Sequence, residues 1–160
     1  GMCGRRVDGT LDCAPSTVHW PHSGSWTWLG SDDNGGQACA INTMGNAFCM
    51  PNEPPIAGPL VRATRGCGLG SDRQVRCSYA LPPGVGDRRY KELRSISNIT
   101  CAIALEGELV CWGASGAFNP SPWTDYVSIS LTSNGICGVR ADQTAACVGW
   151  FGESFAHSLP

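Results

Sequence analysis

Ten cysteines in this 160-residue chain fall into five pairs of identical spacing: Cys3 and Cys13, Cys39 and Cys49, Cys67 and Cys77, Cys101 and Cys111, Cys137 and Cys147. Each pair is ten positions apart, and the first members recur at intervals of about 28 to 36 residues. A period of that size marks a solenoid, a propeller or another array of small repeated units. The five units read CGRRVDGTLDC, CAINTMGNAFC, CGLGSDRQVRC, CAIALEGELVC and CGVRADQTAAC.

Numbering each unit from its first cysteine as zero, position +5 is acidic in four of them: Asp8, Asp72, Glu106 and Asp142, with Met44 the exception. Position +6 is Gly9, Gly45 or Gly107 in three units and Arg73 or Gln143 in the others. An acidic residue followed by glycine between two strand-like runs is a hairpin-turn signal. A three-residue loop with +6 in the left-handed region pairs +3 with +7, +2 with +8 and +1 with +9. It sets the two cysteines directly opposite each other. The side chains fit that register. Position +2 is Ile41, Leu69, Ile103 or Val139, with Arg5 as the outlier, and +8 is Leu11, Ala47, Val75, Leu109 or Ala145. These share a face with the cysteines, because strand side chains alternate. Position +1 is only Gly or Ala (Gly4, Ala40, Gly68, Ala102, Gly138), which suits close approach of another layer on the opposite face.

In this register each cysteine pair falls at a non-hydrogen-bonded site, where Cα atoms come nearest, about 4.5 Å apart, a separation that a disulfide tolerates. The spacing therefore predicts five disulfides, one inside each hairpin, each contributing about 2–3 kcal/mol on the chain-entropy account. Zinc is the rival reading, but structural zinc sites draw ligand pairs about two to four residues apart, which ten-residue gaps do not supply. No metal or other cofactor is expected. Disulfides of this density imply an oxidising compartment. Asn98-Ile99-Thr100 is a glycosylation sequon just before Cys101, so Asn98 is a candidate modification site on a secreted or extracellular protein. The chain reaches Cys3 directly after Gly1-Met2, which predicts that a targeting segment has been removed.

Strand-like segments precede most hairpins: Ser25 to Ser31, Pro59 to Thr64, Tyr90 to Ser97 and Trp123 to Leu131. Gly 21 and Pro 11 are spread along the chain rather than gathered in one linker, as many short strands and turns require. One repeat is then an incoming strand, a turn, the cysteine hairpin and a Pro/Gly-rich crossover that has room for a fourth short strand. No segment has helical periodicity beyond a single turn near Asp87 to Arg94. A net charge of -2 with 15% charged residues argues against nucleic-acid binding. No apolar run reaches the roughly 20 residues of a membrane helix, so membrane insertion is not expected.

Two segments carry a longer motif, YKELRSISNITCAIALEGELVCWG and YVSISLTSNGICGVRADQTAACVGW. The order Tyr, Ile-Ser, Cys-(Gly/Ala)-(Ile/Val), Cys-Trp-Gly resembles the repeat of the regulator-of-chromosome-condensation propellers. It is most similar to the cysteine-bearing repeats in the ectodomains of Crinkly-type plant receptor kinases. All five units fit the cysteine hairpin; only the last two match the longer motif well, and the first lacks its incoming strand. The resemblance implies an extracellular recognition surface built on a propeller, usually of seven blades. It does not carry over nuclear exchange-factor activity, which a disulfide framework contradicts. The fold expected is all-β: a propeller-like array of five small antiparallel blades, each with an intra-hairpin disulfide, in a single domain over 1–160. Two readings of the blade number stand side by side. In the favoured one, Phe155 to Leu159 folds back beside the first hairpin and closes a five-membered ring; in the other, the array is part of a larger propeller or filament.

No Ser/His/Asp grouping involves His19, His22 or His157, so no catalytic residue is assigned and the chain is not expected to be an enzyme. The acidic tips read as turn formers in preference to a cation-binding ring. Of six tryptophans, Trp26 and Trp28 are expected on one packed strand face. Trp20 and Trp123, in Pro-flanked crossovers, are the candidates for exposed binding aromatics. Three functions follow in order of preference: a module that recognises a protein partner or self-assembles, a carbohydrate-binding lectin, and a secreted hydrolase.

Overall fold

A computed structural model describes residues 2–14, 24–31, 38–50, 53–113, 116–118, 124–150 and 154–157. Among them are sixteen strands and no helix. The first sheet pairs β1 (Met2–Arg5) with β2 (Leu11–Ala14). The second has β3 (Trp26–Ser31), β4 (Ala38–Asn42) and β5 (Ala47–Cys49) in that order. The third has β6 (Leu60–Thr64), β7 (Cys67–Gly70) and β8 (Val75–Cys77). The fourth adds an outer strand: β9 (Tyr90–Ile96), β10 (Ile99–Ala104), β11 (Leu109–Gly113) and β12 (Gly116–Phe118). So does the fifth, with β13 (Tyr126–Thr132), β14 (Gly135–Arg140), β15 (Ala145–Gly149) and β16 (Ser154–His157). Every sheet is an antiparallel meander in sequence order, so each repeat is one local unit.

All five cysteine pairs form disulfides within their own hairpins, with Cα atoms 4.0 to 4.1 Å apart. Each tip closes with the same two backbone hydrogen bonds. The +3 amide donates to the +7 carbonyl, as in Arg6 to Thr10 at 2.8 Å and Ala104 to Glu108 at 2.9 Å. The +6 amide donates back to the +3 carbonyl, as in Gly9 to Arg6 at 3.0 Å and Gln143 to Arg140 at 3.0 Å. Position +6 is left-handed in all five hairpins: φ is 86° at Gly9, 82° at Gly45, 67° at Arg73, 91° at Gly107 and 69° at Gln143. Register, loop length and left-handed turn all match the spacing argument.

The same +6 residue joins one sheet to the next. Its carbonyl accepts a hydrogen bond from the first residue of the following incoming strand: Trp26 to Gly9 at 2.9 Å, Leu60 to Gly45 at 3.0 Å, Tyr90 to Arg73 at 2.8 Å and Tyr126 to Gly107 at 3.1 Å. The carbonyl just before each of these strands then accepts from its own hairpin's +4 amide: Thr43 to Ser25, Ser71 to Pro59, Leu105 to Arg89 and Ala141 to Asp125. Four successive junctions thus use one backbone clasp.

Side chains fill the space that the clasp sets. The strand-leading residues Trp26, Leu60, Tyr90 and Tyr126 are all buried, and each sits on the +1 face of its own sheet. A Cβ on Gly68 would stand 2.7 Å from a Leu60 methyl, and one on Gly138 would stand 2.5 Å from the Tyr126 ring. The small +1 residues therefore make room first for their own sheet's leading side chain. That layer then lies on the cysteine face of the preceding sheet. Leu60 and Ala63 pack with Cys39, Ile41, Ala47 and Cys49. Tyr90, Leu93 and Ala102 pack with Cys67, Leu69 and Val75. Tyr126 and Ile129 pack with Cys101, Ile103, Leu109 and Cys111. These contacts outweigh the charges nearby. Arg94 and Glu92 pair at 2.9 Å on a partly exposed edge, a contact class that contributes at most about 1 kcal/mol, whereas truncating a buried leucine such as Leu93 costs about 2–5 kcal/mol.

Two expectations change. The segment expected to close a five-membered ring instead supplies β16, which pairs with β15, and β1 pairs with β2 alone. Positions 158 and 159 of that segment lie outside the described residues. Among the described residues the end sheets are uncovered on one side: Gly4 has nothing within 4 Å of an added Cβ, and Val139 is 42% exposed. Trp26 and Trp28 do not share a face. A bulge lies between them, sending Trp26 edge-on to Phe48 at 5.7 Å and Trp28 toward the cysteine-face cluster. Arg5, the +2 outlier, donates to the Trp26 carbonyl at 3.2 Å in place of packing.

Arg73 and Gln143 hold a left-handed conformation that costs an L side chain about 1–2 kcal/mol, against roughly 0.5–1 kcal/mol for glycine's extra unfolded-state freedom. Arg73→Gly and Gln143→Gly are each expected to stabilise the chain by about 0.5–1 kcal/mol, measured by denaturant unfolding. Arg73→Val is expected to destabilise it. A loss of stability in both glycine variants contradicts the turn assignment.

Candidate functional site

The array presents two ends. Hairpin tips lie along one, and the turns that join each incoming strand to its cysteine hairpin lie along the other.

At the tip end the carboxylates serve the turns. Asp8 Oδ1 accepts from the Thr10 amide at 2.9 Å and its hydroxyl at 2.7 Å. Asp142 does the same with Thr144, at 2.9 and 2.6 Å. Asp72 accepts from the Gln74 amide at 3.1 Å and takes two bonds from Arg76. In the second hairpin, where Met44 stands at +5, Asn42 takes over: its Oδ1 accepts from the Met44 amide at 3.0 Å and the Asn46 amide at 2.9 Å. The aspartates at three of the four acidic tips thus bond their local backbone, as the turn-former reading expects. Beside them project apolar side chains. Val7, Met44 and Leu105 are among the most exposed large hydrophobics described, and all three occupy +4 or +5 of a hairpin.

The opposite end holds a cavity of about 370 Å³ at the seam of the third and fourth sheets. Its walls come from three successive repeats. Glu53 reaches from the crossover after β5, bonding the Arg65 guanidinium at 3.0 Å and the Gly66 amide at 2.7 Å. Arg65 donates on to the Ser97 carbonyl at 3.4 Å. Tyr79 follows β8: its hydroxyl lies 3.1 Å from Cys67 Sγ, and its ring lies over Gly66, where a Cβ would come within 3.0 Å. The phenol is pinned at both ends yet remains 48% exposed. Asn98 lines the same cavity from the β9–β10 turn and is exposed.

Trp20 and Trp123 lie outside the described residues, as do His19, His22 and the side chain of His157. Trp26 and Trp112 are buried; Trp112 packs on Tyr90 with ring centres 6.4 Å apart. Trp150 donates to the Thr132 carbonyl at 3.1 Å. Neither the cavity nor Tyr79 was singled out from the sequence. Only the sequon pointed to this place, because the other lining residues are far apart along the chain and share no spacing.

No family model matches the sequence, and no curated protein matches it. Solved structures do. The chain is similar to the CRINKLY WD40 ectodomain from an Arabidopsis thaliana receptor kinase, with a TM-score of 0.59 at 17% identity, over 87% of this chain and 57% of that one. It is also similar to the entire ectodomain of a Physcomitrella patens receptor kinase, with a TM-score of 0.52 at 26% identity, over 76% of this chain and 40% of that one. The chain therefore spans less than two thirds of each. These neighbours show a propeller-like β fold, in agreement with the cysteine-repeat resemblance.

Several carboxyls at the tips and junctions titrate below their ordinary value. The Thr10 amide stabilises the Asp8 carboxylate, the Thr144 hydroxyl that of Asp142, and the guanidiniums of Arg76 and Arg140 those of Asp72 and Asp125. A lowered folded-state value gives stability that is complete above the unfolded value near pH 4 and lost as pH falls below it. The melting temperature is expected to hold from about pH 7 to pH 5 and fall between about pH 4 and pH 2. That fall should shrink in an Asp72→Asn/Asp142→Asn double variant. A flat profile down to pH 2 in the parent chain contradicts these contacts.

Proposed function

We propose that this chain is an extracellular, non-catalytic recognition or assembly module that engages a protein partner through the rigid hairpin tips of a disulfide-stapled array. The observation that carries this reading is the exposure of Val7, Met44 and Leu105 on turns whose conformation is fixed by backbone hydrogen bonds and disulfides. Apolar side chains on such turns lose little freedom when a partner covers them, which is how rigid loops gain affinity. Both neighbours are receptor-kinase ectodomains, which supports an extracellular setting, and five disulfides favour an oxidising one. The regulator-of-chromosome-condensation likeness belongs to the same reading, as a likeness of repeat order. So do a single repeat domain over 1–160, secretion, and glycosylation of Asn98.

Sugar recognition by Trp20 and Trp123 is the alternative. Equivalent sugar pockets in each repeat call for equivalent polar residues, and outside the cysteine hairpin the repeats diverge.

The secreted chain is to be screened against extracellular ectodomains, against itself by sedimentation, and against a glycan array. The expected result is at least one protein ligand, another ectodomain or a second copy, whose binding falls tenfold or more in a Val7→Asp/Met44→Asp/Leu105→Asp variant of unchanged melting temperature. Saccharide binding abolished by Trp20→Ala or Trp123→Ala, or turnover of ester or glycoside substrates, overturns the proposal.

A further inference from the structure

The cavity between the third and fourth sheets pairs a modification sequon with a fixed, accessible aromatic ring. Asn98 and Tyr79 line the same space, although they lie in different repeats. Tyr79 is not free to collapse: the Cys67 sulfur holds its hydroxyl end at 3.1 Å and Gly66 lies beneath one edge. The charged groups of the cavity satisfy one another, Glu53 with Arg65 and the Gly66 amide, Arg65 with the Ser97 carbonyl. What they leave is a neutral surface of ring, Pro54, backbone and the uncharged side chains of Ser78, Ser97 and Thr100, without an unpaired charge to select an ion. A volume of about 370 Å³ is at the small end of ligand-pocket sizes, suited to one or two sugar rings. A pyranose has an apolar face that stacks on an aromatic ring and hydroxyl and acetamido groups that hydrogen-bond at the rim.

We infer that the cavity is the seat of the glycan carried by Asn98: the first N-acetylglucosamine folds back from the Asn98 side chain and stacks on Tyr79, closing the seam between two sheets. This sugar acts as an internal brace and not as a ligand of the recognition surface, which lies at the opposite end. A glycan held here adds contacts across a junction that Glu53 and Arg65 already bridge, and so raises the cost of separating the sheets. The inference rests on the extracellular reading, since attachment needs passage through a eukaryotic secretory route.

The test uses the full chain secreted from eukaryotic cells. Occupancy of Asn98 is read by mass spectrometry, and the glycan is trimmed enzymatically to its first N-acetylglucosamine. Melting temperatures are compared with Asn98→Gln in three backgrounds: parent, Tyr79→Phe and Tyr79→Ala. The trimmed parent is expected to melt about 2–4 °C above its Asn98→Gln counterpart. That difference should persist in Tyr79→Phe, which keeps the ring, and vanish in Tyr79→Ala. Comparing differences within each background removes any effect of the Tyr79 substitution on folding itself. An unoccupied Asn98 in a secreted, fully disulfide-bonded chain overturns the inference and leaves the extracellular reading standing. An occupied Asn98 with no melting difference, or with a difference insensitive to Tyr79→Ala, overturns it as well. A chain that cannot be secreted with its disulfides formed overturns the extracellular reading instead.

Discussion

One backbone hydrogen bond, from the leading amide of each incoming strand to the carbonyl of the preceding hairpin's left-handed residue, organises the rest of this structure. It recurs four times between 2.8 and 3.1 Å, each time on the carbonyl of the left-handed +6 residue. The disulfide across each hairpin reduces the conformations open to the strands that hold the turn. Covalent staple, turn and clasp form a chain of dependence: cysteine spacing sets hairpin length, hairpin length puts one residue in the left-handed region, and that residue receives the next sheet.

The clasp also gives the array a direction. Each sheet presents its cysteine face forward and its small-residue face backward, with the leading side chain between them. Leu60 over Gly68 and Tyr126 over Gly138 show how closely the two fit. Packing at the three seams between the second and fifth sheets is apolar, so stability lies there and not in the ion pairs along the edges. The interior sheets bury +2 as Ile41, Leu69 and Ile103. In the last sheet, whose cysteine face has no following sheet, +2 is the exposed Val139, whereas in the first sheet Arg5 faces the second sheet and bonds the Trp26 carbonyl.

Much of this is legible in the sequence, and for a physical reason. A cross-strand disulfide tolerates little variation in loop length, so ten-residue spacing leaves few registers, and Gly9, Gly45 and Gly107 mark the turn residue directly. Arg73 and Gln143 adopt the same conformation without the glycine signal, because the repeat imposes it. The bulge at the start of each complete incoming strand is not legible. It sits after Trp26, Leu60, Tyr90 and Tyr126; of the residues inside it, Thr27, Val61 and Val127 are ordinary strand formers and Lys91 carries no turn signal. One inserted residue reverses the alternation, which is why Trp26 and Trp28 part company. The cavity beside Asn98 is hidden for a different reason: Glu53, Tyr79 and Asn98 meet only after three repeats have stacked.

The proposed recognition surface and the proposed glycan seat lie at opposite strand ends of the array, while the repeat's most regular residues hold the fold. Tips offer rigid apolar side chains; the far end offers a neutral cavity with a pinned tyrosine. Both depend on the sheets being locked in sequence by the same clasp, which makes that bond the point at which the account is most exposed. Native-state hydrogen exchange at the amides of Trp26, Leu60, Tyr90 and Tyr126 tests it directly. The account predicts protection approaching that of the β10 amides of Ala102 and Ile103, since these bonds open only when neighbouring sheets separate. Exchange of the four at the rate of exposed loop amides, with β10 still protected, would contradict it.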